Sequence, residues 1–399
     1  MLSYFSESPG ITSRRTVLGI ACVASALTLI SIIRRPARIR RSIESPRKKA
    51  LQHLSDEETK NLPYPPDVLP GGRDVATPYG SIRVFEWGPE GGEKALFLHG
   101  ISTPTIALGD LGHELAGKGY RVMLFDLFGR GYSDAPLDVP YDARLYTTQV
   151  LLVLASSSLP WTSFHLVGYS LGGCLAVSFT RYFSKRVESL TLIAGGGLIR
   201  RYHVGWQSRL LYDSKLLPEW LVRWLVRRRI KPSADPPQAA GGSDLVAAES
   251  RTQQSGNGDA SGGKGFDVAS ISRHRPHVSV SSVVTWQIDR HEGFINAFLS
   301  TIRNAPIYAP QDDWGVLRAL LSARRLAPQE TKLPGLVKGK VLLVLGRDDP
   351  VVVPFETIED AEEALGKDGV AVEVLDAGHE LPITLSAQVA DCIDQFVRR

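Results

Sequence analysis

Ser170 lies in the pentapeptide Gly168-Tyr169-Ser170-Leu171-Gly172, the only Gly-x-Ser-x-Gly match in the chain. The residues before it are typical of a strand end, and those after it of a helix start. A serine in so tight a turn must adopt a strained backbone conformation, which the small neighbours Gly168 and Gly172 permit. The free N–H groups of the helix N-terminus would face any negative charge that develops there. The motif therefore predicts a nucleophilic serine; a serine that merely caps a helix is the alternative.

Two further residue types are needed to activate such a serine. A serine hydroxyl is a weak nucleophile unless a base removes its proton, and His379 follows the last apolar strand, where a loop could reach Ser170. A carboxylate must then orient the imidazole and stabilise its cation. Asp349 sits in a turn directly after an apolar strand, and its neighbour Asp348 is a second candidate. For His379 the alternative is a purely structural histidine.

The elements that would position these residues alternate along the chain from about residue 78. Short apolar runs separated by helical stretches predict an α/β fold with a mostly parallel central sheet flanked by helices. We assign 76–197 and 314–399 to this core. The predicted strands are 81–87, 94–98, 122–125, 164–167, 190–194, 341–345 and 370–375, and the predicted helices are 105–118, 142–156, 171–183, 354–365 and 387–397.

The alternation stops over 198–313, which we interpret as an inserted helical cap above the site. Residues 206–230 have apolar residues at helical spacing, whereas 232–265 are rich in Ala, Gly, Ser, Pro and Gln and predict a disordered insertion. A helix is expected over about 285–302. The spacing places His291, Phe294, Phe298 and Arg303 on one cap helix. They are expected to pack against the core, with lining of an acyl pocket as the alternative.

Four motifs occur in an order that resembles the α/β-hydrolase fold family, serine hydrolase branch. They are His99-Gly100 after a strand, the stretch 126–134 (DLFGRGYSD), Gly346-Arg-Asp-Asp349-Pro350 and Gly378-His379. The resemblance covers roughly 76–195 and 335–399, and it implies Ser170 as nucleophile, His379 as base and Asp349 as acid. The family spacing Gly-x-x-Asp favours Asp349 over Asp348.

The resemblance also implies an oxyanion hole made of backbone N–H groups. One belongs to Leu171, after the nucleophile, and the other to Ile101, with His99 and Gly100 supporting the loop. Relatives that open epoxides or remove halides carry aspartate at the nucleophile position, and Ser170 argues against both chemistries. Three residues are expected to organise a neighbouring loop rather than to perform chemistry, namely Arg130, Ser133 and Asp134.

Composition excludes several other functions. The first 50 residues hold ten Lys and Arg against two Glu, whereas the remainder holds 36 basic against 40 acidic residues, so the folded body lacks the basic surface that nucleic acid requires. Cys22, Cys174 and Cys392 show no metal-ligand spacing, and the glycines at 195–197 lack a nucleotide-binding context. No metal or cofactor is expected.

The N-terminal 41 residues predict a single-pass membrane anchor with basic flanks. Residues 16–33 are uncharged over a length that spans roughly 27 Å as a helix. The heavier positive flank is C-terminal, which places the catalytic domain in the cytosol. A mitochondrial sorting segment and a cleaved signal peptide are the alternatives. Residues 42–75, rich in proline towards their end, are interpreted as a tether.

These observations together predict a membrane-anchored serine hydrolase. It would cleave a lipophilic carboxylic ester through an acyl-enzyme. Two other functions are compatible with the same residues: hydrolysis of a carbon–carbon bond or of a secondary metabolite by the same triad, and a non-catalytic scaffold that kept the fold.

Overall fold

An eight-stranded sheet organises residues 42–399 in the computed structural model of the chain. The structure describes Gly19, Ser25 and the ranges 41–49, 51–213, 217–231, 264–308, 311–328 and 333–398. The strands in these ranges are β1 (Ser42–Ile43), β2 (Gly72–Thr77), β3 (Gly80–Trp87), β4 (Lys94–Leu98), β5 (Arg121–Phe125), β6 (Ala135–Pro136), β7 (Phe164–Tyr169), β8 (Val187–Ile193), β9 (Val341–Gly346) and β10 (Val370–Leu375).

The order across the sheet is β10-β9-β8-β7-β4-β5-β3-β2. Neighbours are parallel from β10 to β5, and β3 runs antiparallel to both β5 and β2. Strands β1 and β6 form a separate antiparallel pair. The predicted mostly parallel sheet is confirmed. Because parallel strands all end at one edge, the loops after β4, β7, β9 and β10 lie together there.

Helices flank the sheet and complete the fold. Asp142 caps α4 by accepting from the N–H groups of Arg144 and Leu145 at 3.0 and 3.1 Å. The described helices are α1 (Pro46–Lys49), α2 (Asp56–Lys60), α3 (Gly109–Gly117), α4 (Ala143–Ala155), α5 (Leu171–Phe183), α6 (Trp206–Asp213), α7 (Glu219–Ile230), α8 (Lys264–Val268), α9 (Val280–Arg290), α10 (Phe294–Asn304), α11 (Gln311–Leu326), α12 (Pro354–Leu365), α13 (Leu381–Thr384) and α14 (Ser386–Arg398).

The core lies on the central strands, where β7 and β9 are buried along their whole length. Such strands are apolar on both faces because helices cover both. Helix α5 packs beside α4 and α11, and α3 packs against α14. The observed α5 and α12 begin and end at the predicted residues, and the strands differ from their predicted bounds by at most three residues.

The helix expected over 285–302 is instead two helices, α9 and α10, separated at His291. The backbone of His291 is extended, and its ring accepts a hydrogen bond from the N–H of Gly293 at 3.1 Å. A side chain that satisfies the backbone in this way competes with continuation of the helix. The placement of His291 on one helix with Phe294, Phe298 and Arg303 is therefore wrong. The two phenylalanines are fully buried, as their spacing suggests.

Residues 42–75, interpreted from the sequence as a tether, pack onto the body. Tyr64 is fully buried and Leu69 is 6% exposed, and β2 joins the edge of the sheet. Prolines prevent regular structure over 63–70, but they do not prevent apolar side chains beside them from being buried. The predicted disordered insertion, 232–265, lies outside the described residues except for the first two positions of α8.

The predicted membrane anchor requires correction. Within the described ranges, no helix combines the length and the apolar character that a bilayer span needs, so a single-pass membrane protein with a cytosolic catalytic domain is not supported. The predicted span, 16–33, lies outside the described residues apart from Gly19 and Ser25. Its eighteen residues were at the lower limit of length, and hydroxyl side chains interrupt their apolar character.

The packing of Tyr64 generates a stability prediction. Its hydroxyl lies 3.1 Å from both carboxylate oxygens of the buried Asp126. Tyr64→Phe should lower the free energy of unfolding by about 1–3 kcal/mol, because a buried carboxylate loses a donor. Urea denaturation would measure this, with Tyr182→Phe, on a 64% exposed tyrosine, as the matched control. Equal stability of both variants would show that 42–75 contributes nothing through this contact.

Candidate active site

Ser170 occupies the turn between β7 and α5, with φ 52° and ψ −118°. This left-handed conformation is costly for a residue with a Cβ and persists only where the surroundings enforce it. Here the Ser170 carbonyl accepts from the N–H groups of Gly173 and Gly196 at 2.9 and 2.8 Å, and its own N–H donates to Ile193 at 3.0 Å. The strand, the helix and the loop after β8 thus hold the serine backbone from three sides.

Glycines make this turn possible because backbones approach each other too closely for a side chain. A Cβ on Gly168 would lie 2.3 Å from the Gly172 carbonyl oxygen, and one on Gly172 would lie 2.0 Å from that of Leu98. Similarly, a Cβ on Gly173 would lie 2.6 Å from the Cα of Gly195. The run of glycines at 195–197, which has no nucleotide-binding context in the sequence, therefore lets β8 pack against the start of α5.

His379 brings Ser170 and Asp349 into one hydrogen-bonded chain. Its Nε2 lies 3.0 Å from Ser170 Oγ, and its Nδ1 lies 2.8 Å from Asp349 Oδ2. The other carboxylate oxygen of Asp349 accepts from the N–H groups of Val351 and Val352 at 2.8 and 2.9 Å. Asp349 is 4% exposed, whereas its neighbour Asp348 is exposed. The Tyr169 hydroxyl donates to the His379 carbonyl at 2.8 Å and holds the loop after β10.

The loop after β4 is fixed by buried side chains bound to three successive carbonyls. His99 Nε2 accepts from the Leu127 N–H at 2.8 Å, so its Nδ1 carries the proton and donates to the Gly100 carbonyl, also at 2.8 Å. Arg130 Nε donates to the Ile101 carbonyl at 3.2 Å. In a trans peptide the C=O and N–H point in opposite directions, so the bond to Gly100 also sets the direction of the Ile101 N–H.

A side chain of the cap binds the third carbonyl, that of Ser102. Gln287 on α9 is fully buried, donates to the Ser102 carbonyl at 2.7 Å and accepts from the Gly131 N–H at 2.8 Å. Thr301 on α10 accepts from Arg130 Nη2 at 2.9 Å. The sequence did not single out Gln287 or Thr301, because no motif marks a cap residue whose partners are backbone atoms far away in the chain.

Arg130, Ser133 and Asp134 lie in the loop that follows β5. Arg130 is completely buried and also donates to the Phe128 carbonyl and to the Tyr146 hydroxyl, both at 3.0 Å. Ser133 Oγ donates to the Asp126 carbonyl at 2.6 Å, and Asp134 accepts from the Ser81 N–H at 2.8 Å. These four bonds lie within this loop or link it to its neighbours, and none of them reaches Ser170.

Two buried histidines near the site stay uncharged. Burial lowers the pKa of His99 to about 3 and that of His291 to about 4. His291 accepts at Nδ1 from Gly293, so its Nε2 carries the proton and donates to the Ser133 carbonyl at 2.9 Å. Each ring therefore makes one donated and one accepted bond that only the neutral form allows.

A cavity of about 50 Å³ opens beside Ser170 between the core loops and the cap. Its walls are mainly apolar. The Phe266 ring of α8 lies 5.7 Å from the His379 ring and closes one side. The other apolar wall residues are Ile101, Leu171, Ile199, Ile302, Ile307 and Val351.

With this geometry established, the comparisons with known proteins identify the family. The sequence profile of the alpha/beta hydrolase fold matches residues 96–384, and the chain belongs to that family. The match includes all of the residues that surround Ser170 in the core and the whole cap.

The individual relatives are similar to this chain at low sequence identity, and the curated ones over only part of their length. The chain is 30% identical over 126 residues to a serine hydrolase-like protein of Danio rerio, covering 31% of this chain and 38% of that one. It is 29% identical over 146 residues to a lipase of Psychrobacter immobilis, covering 37% and 41%. The chain thus spans about two fifths of the length of the curated relatives it matches. A bacterial membrane phospholipase A shares the fold, with a TM-score of 0.53, 17% identity and coverage of 97% and 99%.

The buried neutral His291 generates a prediction about acid stability. Its pKa is near 6.5 in the unfolded chain and lower in the fold, so unfolding takes up a proton, and stability falls as the pH drops from about 6.5 towards 4. His291→Gln cannot take up that proton. Its stability should fall less steeply than that of the wild type, by about 1.4 kcal/mol per pH unit.

Urea unfolding at pH 8, 6 and 5 would measure this difference. At pH 8 His291 is neutral in both the folded and the unfolded chain, so the stabilities of the two proteins at this pH serve as the reference. The glutamine amide of the variant can still donate to the Ser133 carbonyl. Parallel stability curves for the two proteins would contradict a neutral buried His291.

Proposed function

We propose that the chain is a serine hydrolase that cleaves a carboxylic ester with an apolar group through an acyl-enzyme. The observation that carries the proposal is the continuous hydrogen-bonded chain from Ser170 Oγ through His379 to Asp349. Relatives named as a serine hydrolase-like protein and a lipase support the same reaction class.

Proton positions follow from the partners. Ionised Asp349 can only accept, so His379 Nδ1 carries the ring proton and Nε2 offers its lone pair to the Ser170 hydroxyl. As Ser170 Oγ attacks the ester carbonyl carbon, His379 takes the hydroxyl proton and then gives it to the leaving alcohol. Water attacks the acyl-enzyme by the same route, which releases the acid and restores Ser170.

The negative charge of the tetrahedral intermediate requires donors that are already in place. The Leu171 N–H begins α5 and has no partner within its own helix. The Ile101 N–H is the second donor, and His99 fixes its direction through the Gly100 carbonyl. Together the two N–H groups would form the oxyanion hole. A developing anion at this helix N-terminus is also favoured by the helix dipole.

The apolar walls of the cavity favour an apolar acyl or alcohol group. Isoleucine, valine and phenylalanine side chains offer no hydrogen bonds to a polar substituent, and burying a polar group against them is costly. This argument depends on the cavity alone and does not require a membrane segment.

The proposal is tested by labelling with a fluorophosphonate probe and by hydrolysis of p-nitrophenyl esters. Wild type should be labelled and should cleave butyryl and hexanoyl esters faster than the acetyl ester, because the longer chains bury more apolar surface. Ser170→Ala should be neither labelled nor active, whereas Ser158→Ala, at an exposed serine, should behave as wild type. An unlabelled wild type would instead support a scaffold without catalysis.

Two adjacent substitutions test whether Asp349 or Asp348 is the acid. Asp349→Asn should lower kcat by about 10³–10⁴-fold, because an amide at this position favours the wrong tautomer of His379. Asp348→Asn should remain within a few-fold of wild type, since Asp348 is exposed and the hydrogen bond to His379 comes from Asp349. Steady-state kinetics with one ester would measure both, and a larger loss in Asp348→Asn would reverse the assignment.

A further inference from the structure

A second cavity, of about 150 Å³, adjoins the one at Ser170. Ile302 and Tyr308 line both cavities, so these two side chains form the wall between them. The other lining residues all come from the start of the cap, namely Arg201, Val204, Ser208, Arg209 and Tyr212. A substrate that passes Ile302 and Tyr308 would therefore enter this second cavity, which we call the arginine cavity.

The arginine cavity is positively charged. The Arg201 guanidinium lies 5.8 Å from the centre of the Tyr308 ring, and Arg209 Nη2 donates to the Arg201 carbonyl at 2.7 Å. A third guanidinium, that of Arg229, donates to the buried Ser208 hydroxyl at 3.0 Å. Two guanidinium-bearing residues thus line the cavity, and the third contacts one of its lining residues.

The neighbouring arginines behave differently. Arg200 binds Glu359 at 2.6 Å and Asp360 at 2.8 Å, and Arg303 binds Glu219 at 2.9 Å. By contrast, in the described part of the chain no carboxylate lies within 4 Å of either Arg201 or Arg209. Arg200 and Arg303 are therefore paired with carboxylates, whereas Arg201 and Arg209, which line the arginine cavity, are available to an external anion.

We propose that the arginine cavity is a subsite for an anionic group of the substrate, a carboxylate or a phosphate. The inference rests on the proposed function, and it narrows the substrate to an ester whose apolar segment carries a negative charge. The apolar segment would lie along Ile302 and Tyr308, with the ester carbonyl at Ser170 and the anion at Arg201 and Arg209. Guanidinium groups suit this role because their planar N–H groups match the oxygens of both anions.

Matched pairs of esters test the subsite and distinguish its two possible ligands. The first pair has the charge on the acyl side: p-nitrophenyl half-esters of dicarboxylic acids with six to ten carbons, each against its methyl-capped diester. The second has it on the alcohol side: an acylglycerol phosphate against the monoacylglycerol. In at least one pair the wild type should prefer the anionic member by about tenfold in kcat/KM, as expected for charge-assisted hydrogen bonds.

The preference should respond to charge at the arginine cavity. In the double variant Arg201→Gln/Arg209→Gln, the ratio of kcat/KM for the anionic and neutral members should fall to about one. Arg228→Gln removes the same charge from the cap at an exposed arginine that packs on Trp224, and it should keep the wild-type ratio. In the wild type, the ratio should also decrease as sodium chloride is added, because both cavity arginines are exposed.

Absence of a preference in both ester pairs would overturn the subsite. A preference for the anionic ester that persists in the double variant, or that is lost equally in Arg228→Gln, would also overturn the subsite.

Binding to Ser170→Ala separates this inference from the proposed function. Octyl phosphate or octanedioic acid should bind at least tenfold more tightly than octan-1-ol, and the added Arg201→Gln/Arg209→Gln changes should remove the difference. If the wild type cleaves no ester but this difference remains, the proposed function fails and the subsite stands. Equal binding of all three compounds would overturn the subsite whatever the activity.

Discussion

The rest of the site depends on the backbone conformation of Ser170. Its positive φ turns the hydroxyl out of the chain between a buried strand and a helix, and such a conformation costs on the order of 1–3 kcal/mol. Glycines at 168 and 172 allow the contacts that enforce it, because a Cβ at either position would overlap a carbonyl group. Gly173 and Gly196 then bind the serine carbonyl. The strain is thus balanced by close backbone packing of the strand, the helix and the next loop.

The remaining groups of the site depend on the same edge of the sheet. Parallel strands end there together, so residues more than 200 positions apart, such as Ser170 and His379, come within hydrogen-bond distance. The cap contributes to the same arrangement from above. Gln287 binds a carbonyl of the loop after β4, and Arg130 connects that loop to Thr301. The cap is therefore bound to the loop that carries the proposed oxyanion donor, and not only placed over the cavity.

The surroundings of Ser170 consist of two regions that differ in polarity and charge. Next to the serine, the cavity walls are mainly apolar, the buried histidines are neutral, and Asp349 is buried against His379. Beyond Tyr308 lie Arg201 and Arg209, which have no carboxylate within 4 Å among the described residues. A substrate that satisfies both regions has an apolar segment between its ester and a negative charge. This combination would exclude neutral polar esters, which neither region favours.

The sequence by itself determined the sheet, the bounds of helices such as α5, and the residues that became neighbours at Ser170. These features are local: a buried strand, a glycine turn and a helical stretch each leave a pattern within a few residues. Only the tertiary structure decided that Asp349 rather than Asp348 contacts His379, that the cap helix breaks at His291, and that Arg201 faces a cavity. These outcomes depend on which distant backbone and side-chain atoms become neighbours, and no periodicity in the chain records them.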